Sequence, residues 1–387
     1  MNSKQFETAK MCLKVVTPIN ISDGIVLGAK DYLYDSRRQK VYFLNLHQWH
    51  MFIYKHMLLE KYESYLANFR DKQSLLEWLR MQGYDIDDVR TVITSEAQAT
   101  VNLMDNEKKK TLNDINRHIQ QPDGSLYVPG SSIKGVFRTA ILYSLLQKRQ
   151  DIKVKYWRQI QEKISSNYFK PYRDFNKLIS DLENELLHTL RLVDGDIHSN
   201  NAVYSAMRGL QVSDTYASRN MQTAILQKVD GGFDKFGKAS PKKLPIFREC
   251  MLPKAELFFD VKIEKAVMST IGINTVDDLL KATHSFFAAV TDLLQQAFEK
   301  EYQEAFQGVA AGNMFLGGNT GFWSKTLLAM LAPDKDTAKN TIKVLLDKSF
   351  KTHKHLLRDK IIAPRTLKCT NYNGKLMLMG VAEVRKV

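Results

Sequence analysis

The segment from Tyr127 to Arg138 combines a glycine turn with two cations, which is chemistry suited to binding phosphate groups. Pro129 and Gly130 are expected to end a strand, and a serine is expected to cap the helix that follows. The free N–H groups in the first turn of a helix attract anions. Lysine and arginine four residues apart lie on one side of that helix. The predicted contacts are Gly130, Ser131, Ser132, Lys134, Gly135 and Arg138.

A second glycine turn, at 315–321, leads into Ser324-Lys325-Thr326 and is predicted to open a helix over 322–328. It does not match a nucleotide-binding P-loop, which needs glycine where this chain has Ser324 and Asn319. The two turns read as a weak internal repeat, although chance similarity remains an alternative. The predicted contacts here are Gly317, Gly318, Asn319, Thr320, Gly321 and Lys325.

A third basic segment lies between Asp230 and Pro245, where Lys235 and Lys238 alternate with glycines and phenylalanines. This composition predicts a mobile loop that becomes ordered against RNA or a neighbouring protein. Lysines, arginines and aromatic residues are also interleaved over 153–158 and 168–173. These stretches fit either stacking on unpaired bases or helices whose aromatic side chains pack inward.

The sequence contains no pattern typical of a catalytic or metal site. There is no Gly-x-Ser-x-Gly elbow, and the three cysteines are far apart and form no Cys-x-x-Cys pair. Asp23 is the one acid placed to hold a metal or a ribose hydroxyl, with a simple turn residue as the alternative. Histidines and acids that lack ligand spacing are read as solvated: His47, His50, Asp194, Asp196, His198, His353 and His355. No catalytic residue, metal or cofactor is therefore predicted.

The composition favours a polyanionic partner. The chain of 387 residues has 56 Lys and Arg against 42 Asp and Glu, a net charge of +14, and its pI is near 9.4. No apolar run is long enough to span a bilayer and no signal peptide is visible, which predicts a cytoplasmic protein without membrane contact. The length and the 44% hydrophobic content predict two domains.

The order of the predicted elements indicates an α+β fold. Strands are predicted at 12–21, 41–44, 126–128, 209–212, 223–229, 257–263 and 376–384, with a hairpin at 116–128. Helices are predicted over 47–65, 74–81, 130–148, 276–306 and, as a pair, 153–191. One flank of the helix at 130–148 is apolar and is expected to pack on a sheet, which leaves its first turn free.

Taken together, these residues resemble the RAMP proteins, the RNA-binding subunits of CRISPR effector complexes. The glycine turn Val128 to Gly135 with Arg138 carries this likeness. Further stretches resemble the fifth Csm subunit of type III-A systems: Leu13 to Asp31, Phe247-Arg248-Glu249-Cys250, Gly318-Asn319-Thr320-Gly321 with Ser324-Lys325, and Asp359 to Pro364.

The resemblance implies a ferredoxin-like, RRM-like core, with two related units in tandem. The N-terminal unit would cover 1–205 with a helical insertion at about 47–118, and the C-terminal unit 206–387. Because the RRM stacking motif is absent, contacts to the RNA backbone are expected rather than aromatic readout of bases from the sheet.

The resemblance also implies a non-catalytic subunit that caps the guide RNA at its 3′ end, supports guide maturation and contributes to antiviral defence. Its partners would be the guide RNA, nearby target RNA, other Csm subunits, above all the filament-forming RAMP subunit, and a host trimming nuclease. Asp23 would not inherit a cleavage role. A metal-independent RAMP endoribonuclease that processes the guide precursor is the alternative, disfavoured because no histidine lies near either glycine turn in the sequence.

Overall fold

The computed structural model describes residues 5–68, 73–100, 112, 114–166, 168–191, 201–217 and 221–387. Its strands are β1 (Phe6–Val15), β2 (Val26–Leu27), β3 (Tyr32–Asp35), β4 (Lys40–Leu44), β5 (Ile93–Thr100), β6 (Ile115–Asn116), β7 (Leu210–Val212), β8 (Tyr216–Ala217), β9 (Thr223–Gly231), β10 (Lys242–Met251), β11 (Glu256–Glu264), β12 (Met314–Phe315), β13 (Leu367–Tyr372), β14 (Lys375–Leu378) and β15 (Val381–Lys386). Its helices are α1 (Leu46–Lys55), α2 (Leu59–Ala67), α3 (Leu75–Met81), α4 (Gly130–Lys148), α5 (Gln150–Ser165), α6 (Pro171–Leu187), α7 (Lys265–Met268), α8 (Val276–Tyr302), α9 (Leu328–Leu331), α10 (Lys335–Ser349) and α11 (His355–Arg358).

The first sheet, sheet A, has the strand order β12-β15-β1-β11-β7, with β8 also paired to β11. Every pairing in it is antiparallel. Along the chain, the main strands of sheet A and the two helices packed on it follow the order β1, α4, β7, β11, α8, β15. The two ends of the chain therefore meet in the middle of one sheet, where β1 lies between β11 and β15.

Alternation along β1 and β11 gives sheet A one apolar face. Met11, Leu13, Phe259 and Val261 on this face are fully buried. Their side chains belong to one core that also contains Phe137 of α4 and several phenylalanines of α8. Since α4 and α8 pack against each other and on this face, the opposite face of sheet A is not covered by these two helices.

The second sheet, sheet B, has the order β2-β6-β10-β9-β5-β4-β3, and the hairpin of β13 and β14 joins it beside β9. The segment that follows β1 links the two sheets, because Ile19 bridges to Met251 at the end of β10. The same segment also contacts the residue before β15, since the Gly380 N–H donates to the Pro18 carbonyl at 2.9 Å.

Helices α1 to α3 form a separate small core around Trp49, Trp78 and Leu79. A capping box starts α3: the Ser74 side chain accepts from the Glu77 N–H, and the Glu77 side chain accepts from the Ser74 N–H. Gly83 ends this segment with a positive φ of 90°. The predicted helix at 74–81 is confirmed, whereas the predicted helix at 47–65 is two helices, α1 and α2, because the chain turns at Met57 with a positive φ of 53°. Strand β5 returns the chain from these helices to sheet B.

Most predicted elements are confirmed, and the differences have physical causes. The predicted helix over 322–328 is wrong: a 3-10 turn at Trp323–Lys325 is followed only by the short α9. The predicted strand 376–384 is two strands, because Gly380 at a φ of 81° breaks it. The predicted hairpin at 116–128 is reduced to β6 and a bridge between Gln120 and Leu126. The strands β3, β5, β10 and β13 were not predicted.

Each sheet contains strands from both sides of residue 205. The division into units 1–205 and 206–387 therefore stays a prediction, and it does not correspond to a division between the sheets. Asp194, Asp196 and His198 lie outside the described residues. None of the described helices is long and apolar enough to cross a membrane.

Candidate nucleic-acid interface

The first glycine turn is a tight packing point between α4 and β7. A Cβ atom on Gly130 would lie 2.3 Å from the Val212 carbonyl oxygen. The Gly130 N–H donates to the Asp214 carboxylate at 2.7 Å, so a protein anion already occupies this helix start. Pro129 is the N-cap residue and Asp214, not a serine, bonds the first N–H, so the expected capping by Ser131 or Ser132 is wrong. The Ser132 N–H instead donates to the Pro129 carbonyl at 2.9 Å.

The two predicted cations of α4 differ in their surroundings. Arg138 forms an ion pair with Glu183 of α6. Lys134 has no carboxylate partner among the described residues, and burial lowers its pKa. Gly135 and Ser131 are exposed on the first turns of α4. This turn therefore offers one free cation beside an anion that the fold supplies.

The second glycine turn is held by backbone contacts that require glycine. Gly317 has a φ of 91°, and a Cβ atom there would lie 2.4 Å from the Asn20 carbonyl oxygen. That oxygen accepts the Gly318 N–H at 2.7 Å. Thr320 is buried, and its hydroxyl bonds to the Gly317 carbonyl and to Ser324. Asn319 and Gly321 both have a positive φ, which completes the turn.

Cations from three strands of sheet B converge beside this turn. Arg248 of β10 has one guanidinium nitrogen 3.0 Å from the Asn20 Oδ1 atom and equally close to the position of a Cβ on Gly318. Lys228 of β9 and Lys368 of β13 share the carboxylate of Asp230, at 3.7 and 2.9 Å. We call Arg248, Lys325, Lys228 and Lys368 the turn cluster.

Two members of the turn cluster lack a carboxylate partner in the described part of the chain. The Arg248 Nε atom is buried without any hydrogen-bond partner. Burial lowers the pKa of Arg248, and burial together with Arg248 lowers that of Lys325. Lys368 and Arg248 likewise lower the pKa of Lys228, after burial as the main cause. A phosphate beside these cations would relieve this repulsion.

A buried polar network fixes the position of Arg248. The Asn20 side-chain amide donates to the Glu249 carbonyl at 2.7 Å. The Glu249 carboxylate accepts from the His118 N–H at 3.1 Å and lies 3.6 Å from Arg117. The His118 ring accepts from the Ile21 N–H and contacts the Tyr127 carbonyl, at 3.2 and 3.1 Å. His118 thus connects the approaches to both glycine turns, which are distant in sequence.

A cleft of about 280 Å³ lies between α4, α6 and the segment that contains Lys325. Thr139 of α4 and Glu183 of α6 line one side, and Lys325 lines the other. Arg138 contacts the same Glu183. Residues predicted separately from the two turns are therefore neighbours of one cleft.

Lys235 and Lys238 lie at the tip of a hairpin between β9 and β10, inside the segment predicted to be a mobile loop. Phe233 stacks on Phe298 of α8 with ring centres 5.3 Å apart. Asp234 accepts the backbone N–H groups of Phe236 and Lys238. Lys238 lies 3.8 Å from Glu301, and Lys235 lies over the Phe236 ring. The segment 230–245 therefore includes the ends of β9 and β10 and packs on α8, which its composition alone does not indicate.

The remaining candidates have structural surroundings. Asp23 accepts the Ile25 N–H at 2.8 Å in an exposed turn. The Tyr156 hydroxyl of α5 bonds Glu185, which favours inward packing for the stretch 153–158. The reading of His355 as solvated is wrong, because its ring is buried against Asp359, which also binds Arg365 at 2.7 Å. No group of three His, Cys, Asp or Glu side chains placed to hold a metal ion occurs within the described residues.

Sequence reasoning missed Arg248 and Asn20 as site residues. Arg248 had been noted only within the stretch Phe247 to Cys250, and Asn20 only within the first predicted strand. Neither lies in a glycine turn, and they meet because the segment after β1 bridges to the end of β10, more than 200 residues away in sequence. The available signal was an arginine followed by a glutamate in the apolar second half of β10.

Comparisons with known proteins agree with this architecture. The model of the RAMP superfamily matches residues 12–322. The CRISPR system Cms protein Csm5 of Mycobacterium tuberculosis strain H37Rv is 26% identical over 397 residues, covering 98% of this chain and 97% of that protein. Csm5 of Enterococcus italicus is 22% identical over 376 residues, covering 88% and 85%.

Two solved structures share the fold. A chain of a cryo-EM structure of a type III-A Csm–crRNA–target RNA ternary complex has a TM-score of 0.68 and 18% identity, covering 98% of this chain and 100% of that one. The crystal structure of T. onnurineus Csm5 has a TM-score of 0.61 and 19% identity, covering 96% and 99%. Because the model of the RAMP superfamily matches it from residue 12 to residue 322, this chain belongs to that superfamily.

Proposed function

We propose that this chain is a non-catalytic RNA-binding subunit of a type III-A CRISPR Csm complex, in which it binds and caps the 3′ end region of the guide RNA. Relatives named Csm5 that align with nearly the whole chain support the assignment to that complex. The net charge of +14 supports a nucleic-acid partner.

The observation that carries the RNA-binding proposal is the turn cluster. It brings four cations and one carboxylate together beside a glycine turn, and it leaves the Arg248 Nε atom without a partner. Arginine and lysine at such a point bind phosphate oxygens rather than base edges. The second glycine turn is therefore the main contact in this proposal, and Lys134 and Arg138 of the first turn are secondary, because Asp214 and Glu183 already neutralise part of their surroundings.

The proposal includes a ferredoxin-like core in sheet A. Its support is the chain order of a βαββαβ unit, β1, α4, β7, β11, α8 and β15, together with the spatial order β15-β1-β11-β7. A second such unit in tandem stays a prediction. The filament-forming RAMP subunit, nearby target RNA and a trimming nuclease remain the proposed partners, in the cytoplasm.

The alternative, a RAMP endoribonuclease, would need a general base near the bound RNA. His118 is the histidine that lies between the two turns, and burial lowers its pKa to about 4. Both of its ring nitrogens face backbone groups of this chain. A buried imidazole engaged in this way is poorly placed to take a proton from a ribose hydroxyl.

Incubation of the purified protein with labelled repeat RNA, with and without magnesium, separates the two functions. The proposal predicts a retarded complex and intact RNA under both conditions. Cleavage that the His118→Gln variant abolishes would establish the endoribonuclease instead. Copurification from cells followed by RNA sequencing should recover guide RNA 3′ segments, and a random RNA population would contradict the proposed capping role.

A further inference from the structure

The face of sheet A opposite α4 and α8 carries aromatic and basic side chains in register. Hydrogen-bonded pairing places Arg385, Cys12, Phe258 and Tyr216 side by side across β15, β1, β11 and β8. Cys12 is buried at the centre of this row, whereas Tyr216 keeps 47% of its surface exposed. We call these four residues the cross-strand row.

The aromatic end of the row is already arranged around a cation. The rings of Tyr216 and Phe258 have centres 6.1 Å apart and planes tilted by 38°. Lys10 lies two residues before Cys12 on the same face of β1. Its ammonium is 5.5 Å from the centre of the Tyr216 ring and 5.6 Å from that of the Phe258 ring. An exposed lysine next to an exposed ring supplies the two contacts that a nucleotide needs, one for phosphate and one for the base.

Two acids of this face lie beside basic residues of the same face. Glu256 lies 3.4 Å from Arg385, and Asp260 faces Lys10 directly across the strands. A second ring on the face, that of Phe6, is also covered by a lysine, with the Lys262 ammonium 4.2 Å from its centre. The face is thus not strongly charged, so it would recognise bases by stacking rather than attract RNA by its field.

The cross-strand row lies beside the first glycine turn. Thr215, the neighbour of Tyr216 in sequence, exchanges two hydrogen bonds with Val128, with N–H donors at 2.8 and 3.0 Å from their acceptors. Asp214 holds the Gly130 N–H. A strand of RNA that contacted Lys134 on α4 could therefore continue onto the face that Tyr216 borders.

We propose that Tyr216, Phe258 and Lys10 form a stacking site for unpaired nucleobases of single-stranded RNA. This inference rests on the proposed RNA-binding function and extends it, because it adds base stacking where only backbone contacts were expected from the sequence. The stacking residues come from three strands that are distant in the chain, so they form no RRM-type motif in the sequence.

The test uses a single-stranded RNA with one 2-aminopurine at successive positions, bound to the full-length protein. Stacking on a ring quenches this fluorophore, so the wild type should quench it at a restricted set of positions. Tyr216→Ala should remove that quenching and weaken binding roughly 5- to 150-fold, the range for losing one stacked base. Tyr216→Phe should retain both. Tyr54→Ala removes a ring that is 74% exposed on α1, outside every candidate site, and should change neither.

The outcomes separate the two proposals. If RNA binds but no position is quenched, or if Tyr216→Ala and Tyr54→Ala behave alike, the stacking site is wrong and backbone binding stands. If neither the wild type nor Tyr216→Ala binds RNA, both the RNA-binding function and the stacking site are wrong. If Tyr216→Ala binds RNA normally but no longer assembles with the filament subunit, this face is a protein interface and the stacking site is overturned. Thermal melting of each variant checks that the fold is retained.

Discussion

The geometry between the two glycine turns depends on His118. Its ring is buried between the Ile21 N–H and the Tyr127 carbonyl, and burial lowers its pKa from 6.5 to about 4. Asp23 acts in the opposite direction on this pKa, and the hydrogen bond to Tyr127 does too, but burial dominates. Folding therefore requires the neutral imidazole.

This histidine predicts a pH dependence of stability. Between pH 6.5 and pH 4, His118 is protonated in the unfolded chain but neutral in the folded one. The free energy of unfolding should therefore fall as the pH drops from 6.5 to 4. The full loss is about 3 kcal/mol. Burial raises the pKa of the adjacent Glu249, which changes stability in the opposite sense. Denaturant titrations from pH 7 to pH 4 should show a smaller fall for His118→Gln; parallel curves for the two proteins would contradict the assignment.

At the residue scale, the sequence predicted features that depend on short spacing along the chain. It did not predict contacts between residues that are distant in the chain. The positions of Lys134 and Arg138 on α4 followed from their separation of four residues. The pairing of Arg138 with Glu183 could not be predicted, because it depends on where α6 packs. The same holds for Arg248, whose surroundings come from three strands and a turn.

At the element scale, the second glycine turn predicts a difference between two substitutions. Gly317 and Gly24 share a φ of 91°, but only Gly317 has a backbone oxygen where a Cβ would lie; Gly24 has nothing within 4 Å. Both alanine variants carry the cost of the left-handed conformation. Gly317→Ala should lose about 1–3 kcal/mol more in unfolding free energy, since Asn20 must move. Equal losses in thermal or denaturant unfolding would show that the close approach is unimportant.

The hairpin between β9 and β10 predicts resistance to proteolysis. The Ala239 N–H donates to the Glu301 carboxylate at 3.1 Å, and the Ser240 N–H donates to the Tyr302 hydroxyl at 3.1 Å. Trypsin should therefore cut at Lys238 slowly in the free protein, and faster in Glu301→Ala. Glu299→Ala, on the same helix, is the control. Rapid cutting at Lys238 in the wild type would restore the sequence-based expectation of a disordered loop.

The elements that sequence patterns predicted best have strong periodicity of their own. The helix α8 and the strand β11 have regular apolar spacing and clear ends, including a capping box at Thr275. The hairpin tip was misread because its packing partners, Phe298 and Tyr302, are some 60 residues away. Composition describes a segment in isolation, whereas order at this tip comes from α8.

For the whole molecule, the topology predicts that the two halves are not independent. β1 pairs on both sides with strands from beyond residue 250, and one hydrophobic core contains residues from Met11 to Val384. Fragments 1–205 and 206–387 expressed separately should be insoluble or unfolded, and coexpression should restore a complex. A folded, monomeric 206–387 fragment with sharp melting would support the tandem-unit prediction instead.

The central claim is that the turn cluster binds RNA phosphates, and the salt dependence of affinity tests it most directly. The measurement is the affinity for a single-stranded RNA over a range of salt concentrations, for the wild type and for Arg248→Gln with Lys325→Gln. The control is Arg90→Gln with Lys61→Gln, which removes the same charge from exposed positions near α3 and on α2. Each lost phosphate contact reduces the slope of log affinity against log salt by about 0.7. The cluster variant should therefore have weaker binding and a slope lower by about 1.4, while the control keeps the wild-type slope. An unchanged slope and affinity in a cluster variant that melts like the wild type would contradict the account.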